Sequence, residues 1–184
     1  MPASLPLTFA AGIQGPWLID RILPLLGEAM PMASRLAVLE GAPAPQPDWA
    51  WSLHGVTSHL RYTEAPERGT LAARQPALGR ADATRATLIP IRKSEAWWDL
   101  AQDERRAILA ATSQHIAIGL DYLPAIARRL VHCRDLVGPF DFLTWFEYAP
   151  ENEGAFDDLL ARLRATAEWA HVVRECEVRL VRQA

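Results

Sequence analysis

From Arg85 to Arg182 the spacing of apolar residues alternates between the period of a strand and that of a helix, an order that admits few folds. Residues 85–93 (RATLIPIRK) read as a strand. Roughly 95–121 then predicts one long helix, with Ile108, Ala111, His115, Ile118 and Tyr122 on one face at steps of three and four, until Pro124 stops it. Residues 127–135 and 141–149 read as two strands joined across Val137-Gly138-Pro139, a turn whose proline cannot donate to a ladder. A second helix starts at Glu151 or Asn152 with the stripe Phe156, Leu159, Leu160, Leu163 and Ala167, and the alternation of 172–182 closes the run with a strand. The order β-α-β-β-α-β is the ferredoxin-like plan.

Upstream the same plan recurs less clearly. Residues 5–12 and 34–40 read as strands with an apolar helical stretch near 17–29 between them, 49–62 as a strand and 67–78 as a helix. Residues 41–48 (GAPAPQPD) form a Pro-rich loop. Tyr62-Thr63-Glu64-Ala65-Pro66-Glu67 echoes Tyr148-Ala149-Pro150-Glu151, as an internal duplication would. The expected fold is α+β: two fused ferredoxin-like halves, a shortened 1–82 and a complete 83–184, form an α+β barrel with helices outside. A large planar cofactor would sit in the C-terminal half.

Charge narrows the function. The 22 acidic and 19 basic residues are interspersed and sum to -3, which leaves no broad basic field for nucleic acid. Met1 to Leu23 has no basic region ahead of an apolar core, and Asp20 and Arg21 interrupt the apolar run after Trp17. No signal peptide, no membrane span and a cytoplasmic location are therefore expected. Cys133 and Cys176 form no C-x-x-C pair, so neither a disulfide framework nor a zinc knuckle is expected.

Three residues suggest a metal chemistry. His115, read as mid-helix, has small neighbours in Ala111, Ala117 and Gly119 that leave room for a macrocycle, although a lone histidine on a helix face is more often a satisfied boundary residue. Arg128, on the following strand, is either solvated or faces a cavity, where its permanent charge would draw a small oxyanion. Its neighbour Arg129 should point the other way. Glu168, read at a helix C-terminus, either pairs with Arg164 or fixes the second ring nitrogen of His115. Lys93, Trp97 and Trp98 lie where the first strand meets the long helix, as core residues or as partners for carboxylates at a haem. The other histidines form no close ligand pair. His54 and His59 point to opposite faces of a strand, His132 lies about 13 Å along the strand from Arg128, and His171 is at a helix-to-strand junction.

The segments ATRATLIPIRKSEAWWDLAQDERRAI, SQHIAIGLDYLPAIARRLVHCRDL, PFDFLTWFEYAPE and RATAEWAHVVRE resemble the chlorite dismutases, especially their short bacterial subgroup. The resemblance covers Ala83 to Arg182 and extends through SHLRY and ARQPALGR. It implies a haem b enzyme that converts chlorite to chloride and dioxygen through a ferryl oxygen and O–O bond formation. By matching position, His115 is the proximal iron ligand, with Glu168 and Lys93 completing its hydrogen-bonded network. Arg128 is the distal arginine, Gln75 its distal partner, Trp97 a residue at the haem edge and Tyr62 a contact to a propionate. The short relatives imply a homodimer. Coproheme decarboxylase shares the fold and the proximal histidine, and a haem carrier or sensor would use the same site without turnover.

Overall fold

The computed structural model describes residues 5–58, 69, 73–136 and 138–183. Its strands are β1 (Pro6–Gly12), β2 (Trp17–Leu26), β3 (Arg35–Glu40), β4 (Trp49–Thr57), β5 (Arg85–Lys93), β6 (Ile126–His132), β7 (Phe142–Tyr148) and β8 (Val172–Arg182). They close into one barrel in the order β1-β3-β2-β8-β5-β7-β6-β4, with antiparallel neighbours throughout. Closure leaves no free sheet edge around the ring. The described helices are α1 (Glu95–Asp99), α2 (Gln102–Ala107), α3 (His115–Asp121) and α4 (Glu153–Arg164), with a π-helical turn at Ile108–Thr112 and 3₁₀ turns at Pro150–Asn152 and Ala167–His171.

Strand alternation divides the C-terminal half into two faces. Ala86 and Leu88 of β5, Val131 of β6, Leu143 and Trp145 of β7, and Val178 and Leu180 of β8 turn inward. There they meet Leu7, Phe9, Leu36 and Leu53 from the first four strands and fill the barrel. The alternate residues Ile89 and Ile91, Ile126 and Leu130, and Phe142 and Phe146 turn outward against the helices. Phe156, Leu159, Leu160 and Leu163 form the buried stripe of α4 on that face. The barrel interior is thus mostly a packed core, and on the opposite side the sheet leaves space where its outer face and the helix layer are not fully in contact.

Several expectations need correction. The stretch at 17–29 is not helical: Trp17–Leu26 is a strand paired with β8, and Trp17, Ile19 and Ile22 pack on the barrel core. Its apolar spacing fits either period, and the free backbone groups of β8 decide the outcome. The N-terminal half therefore lacks the helix expected between its first two strands. The helix expected over 95–121 is broken twice, by the extended backbone of Leu100 and by Gln114, whose φ of 49° is left-handed. His115 is consequently the first residue of a short helix instead of a mid-helix residue. Ala167 is exposed and lies beyond α4, because the chain leaves the helix at Ala165 and enters a 3₁₀ turn at Ala167. Glu168 belongs to that turn, so it does not face the C-terminal dipole of α4. The 49–62 strand is found as Trp49–Thr57. The proposed duplication at Tyr62 lies outside the described residues, as do residues 67, 68 and 70–72 of the expected 67–78 helix; Gly69, Ala73 and Arg74 are helical, but Gln75 to Leu78 are not, so that helix ends earlier than expected, ahead of Pro76. No described helix is long and apolar enough to cross a membrane.

Candidate functional site

The outward residues of β5 to β7 and the helix layer line a cavity of about 140 Å³ that opens to solvent. Ile89, Ile91, Leu130, Phe142 and Phe146 give it an apolar floor, and Leu160 and Leu163 of α4 form part of its wall. An apolar cavity on which a few charged groups converge is the natural candidate for a ligand site. His115, Arg128, Gln75, Trp97 and Glu168 all line it.

His115 enters from the helix side. The left-handed turn at Gln114 restarts the backbone one residue earlier and so sets the angle at which α3 presents the imidazole. His115 Nδ1 lies 2.6 Å from Glu168 Oε2, although the two atoms miss the alignment of a good hydrogen bond and the contact is electrostatic as it stands. The Glu168 position is fixed twice more: Lys93 Nζ donates to its Oε1 at 2.8 Å, and its own backbone N–H donates to Ser113 Oγ at 2.9 Å. Lys93 is 1% exposed and also donates to the Glu168 carbonyl at 3.2 Å. Burial would push the Glu168 carboxyl up, but the charges of His115 and Lys93 together outweigh it and hold the group at about 2. Burial also pulls the Lys93 ammonium down, and the nearby carboxylates of Glu168 and Asp141 counter part of that pull. Glu168 is therefore an anchored carboxylate beside one imidazole nitrogen, and the other nitrogen is left for a ligand.

Arg128 enters from the sheet side. Its guanidinium has no carboxylate partner among the described residues, and desolvation lowers its pKa from the usual arginine value. The side chain is half-buried, open toward the cavity and surrounded by protein elsewhere. Gln75 Nε2 donates to the Arg128 carbonyl at 2.7 Å and so ties the strand at that point to the segment before β5. Gly119 of α3 leaves the guanidinium room, since a Cβ there would come within 2.8 Å of Nη1.

The sequence-expected residues thus converge, with one exception: Tyr62 lies outside the described residues. Trp97 is 2% exposed, and Lys93 Nζ sits 4.7 Å from the centroid of its ring. Trp98 takes a different part, its indole N–H donating to Asp141 Oδ2 at 3.1 Å. Asp141 and Ser113 were not anticipated. Asp141 also accepts the Lys93 backbone N–H at 2.7 Å, and no spacing pattern marks a single polar residue of this kind. His54 is engaged with Thr8 and Ser52 inside the N-terminal half, and His132 packs on Trp98 and Phe142. His171 lies against the Trp97 ring.

These residues fit a haem. One imidazole with its second nitrogen beside a carboxylate is the usual donor set for a porphyrin iron, and the apolar floor suits the macrocycle. The described residues hold no cluster of three or more His, Cys, Asp or Glu that would ligate a metal without a porphyrin.

Known proteins share this architecture. A structure of a dimeric chlorite dismutase from Nitrobacter winogradskyi is 55% identical, covers 96% of this chain and 99% of its own, and superposes with a TM-score of 0.88. A chlorite dismutase variant from Candidatus Nitrospira defluvii, 20% identical over 98% of this chain and 92% of its own, shares the fold with a TM-score of 0.66. The chlorite dismutase of Ideonella dechloratans is 32% identical over 125 residues, which are 67% of this chain but only 42% of that protein's length. The family model described as chlorite dismutase matches residues 38–183, and the chain belongs to the chlorite dismutase family.

Proposed function

We propose that this chain is a haem b chlorite dismutase that converts chlorite into chloride and dioxygen. The observation that carries the reading is the placement of His115 and Arg128 on one cavity, the first braced by Glu168 and the second without a counter-charge among the described residues. The 55% identity to a chlorite dismutase along almost its whole length supports it.

In this reading His115 is the protein's ligand to the iron, and the Lys93–Glu168 pair keeps its Nδ1 side fixed and electron-rich. A haem held by His115 would supply the redox-active iron for the chemistry of chlorite. The overall change, ClO₂⁻ to Cl⁻ and O₂, consumes no proton and no external electron. The protein therefore needs no acid or base on the substrate side; it needs to attract an anion and keep fragments together. Arg128 does both, because a desolvated guanidinium remains protonated and its field is not cancelled by a neighbouring carboxylate. Gln75 positions the strand beneath it, and Trp97 closes the cavity beside Lys93.

We read the barrel as two ferredoxin-like halves, 1–82 and 83–184, the first shortened and the second carrying the haem. We also read the molecule as a homodimer. Leu18, Leu23, Leu25 and Leu26 of β2 and Val173 of β8 are all exposed, an apolar strip that a two-fold related copy would cover. The Nitrobacter winogradskyi relative is described as dimeric. Oxygen-electrode recording on haem-loaded protein tests the activity: chlorite addition should release one dioxygen per chlorite, and a protein that binds haem but releases none from chlorite is not this enzyme.

A further inference from the structure

Alternation along β6 sends Arg129 to the barrel side of the sheet, away from Arg128. There it lines a second cavity of about 250 Å³, far above the ~10–15 Å³ that one water needs. Phe9, Trp17, Val38 and Trp145 supply apolar and aromatic walls, with Glu147 as the other charged member. Glu147 is already occupied. Its Oε1 accepts the Trp145 indole N–H at 2.9 Å, and its Oε2 accepts the Gly79 backbone N–H at 2.6 Å and Arg182 Nη2 at 3.4 Å. Arg129, by contrast, has no ion pair or side-chain hydrogen bond among the described residues.

Arg182 balances Glu147, which leaves the guanidinium of Arg129 as the uncompensated charge of this cavity. A partly buried guanidinium that shares its cavity with a pair of packed tryptophans is matched by one carboxylate carried on a flat apolar body. We propose that this cavity binds a small planar aromatic monocarboxylate, its carboxylate paired with Arg129 and its ring against Trp17 and Trp145. The site is distinct from the haem cavity, since β6 and β7 separate the two: Arg128 and Phe146 face one, and Arg129 and Trp145 face the other.

Benzoate titrated calorimetrically into haem-loaded protein tests this. One site per chain is expected, with the haem absorption spectrum unchanged. Arg129→Gln should weaken binding at least about tenfold, the loss expected for a hydrogen bond to a charged group. Benzamide, flat but uncharged, should bind the unaltered protein similarly worse. Arg128→Gln should leave benzoate affinity unchanged, and Val38→Trp should remove binding by filling the cavity while leaving Arg129 in place. Urea midpoints of each variant establish that it is folded. No benzoate binding at millimolar concentration, equal affinity in a folded Arg129→Gln protein, or binding that perturbs the haem spectrum and depends on Arg128 would each overturn the proposal.

Discussion

Replacing Glu168 by Gln keeps the side chain's shape and removes the charge that both His115 and Lys93 contact. Two routes give its cost. A carboxyl held at about 2, where 4.5 is ordinary, contributes about 3 kcal/mol at neutral pH. Removing one partner from a buried ion pair costs about 3–5 kcal/mol, and Lys93 is 1% exposed with only Asp141 left to offset its charge. The low end applies, because the ammonium can shed its proton once its partner is gone. We therefore expect Glu168→Gln to lose about 3 kcal/mol in urea unfolding of the haem-free protein, with the midpoint moving and the slope unchanged. Lys93→Met removes the cation instead, and the double variant should recover part of the loss, with a coupling within the ~0.5–3 kcal/mol range of contacting residues. The sign with pH follows from the depressed carboxyl. Its contribution is complete above about 4.5 and disappears as pH falls toward 2, so Glu168→Gln should flatten the acid limb of the stability profile in that window. A folded Glu168→Gln protein within about 0.5 kcal/mol of the parent, or strict additivity in the cycle, would refute a buried, charge-coupled Lys93–Glu168 pair.

Arg128→Ala should retain haem yet lose durable turnover, seen as an oxygen trace that stops early while the haem absorbance bleaches; full, sustained oxygen yield would exclude the confining role. Burial and then the charge of Asp141 push the Cys133 thiol up to about 12, and its S–H donates to the Phe140 carbonyl at 3.1 Å. Neither Cys133 nor the equally buried Cys176 should react with an aromatic disulfide at pH 8 until denaturant is added. Rapid labelling of the native protein would contradict that burial. Leu23→Asp, on the exposed strip of β2, should convert a dimer to a monomer in light scattering with the haem spectrum intact, and an unchanged mass would move the interface elsewhere.

The C-terminal half was legible because each element there has one dominant period. Alternation along RATLIPIRK places Ile89, Ile91 and Lys93 on the helix side, and the same rule separates Arg128 from Arg129. The failures have physical causes. In β2 the apolar residues fit a helix face as well as a strand, and Pro24 is no bar to the strand. Beyond Leu18 that strand has no register with β3, so a residue without an N–H costs little there. The break at Gln114 carries no Gly or Pro signal, being a left-handed turn at an ordinary residue held by tertiary contacts. Glu168 met its partners through a 3₁₀ turn that helical periodicity does not foresee. Ser113 and Asp141 became visible only when the backbone placed them beside Glu168 and Lys93.

The central claim is that one imidazole holds an iron porphyrin in the cavity between sheet and helices. Haem titration of the parent protein and of His115→Ala, followed by the Soret band, tests it most directly. The expected result is stoichiometric uptake by the parent, with a spectrum of histidine-ligated ferric haem, and weak, easily displaced haem in the variant. Equal uptake and an unchanged spectrum in a folded His115→Ala protein would contradict it.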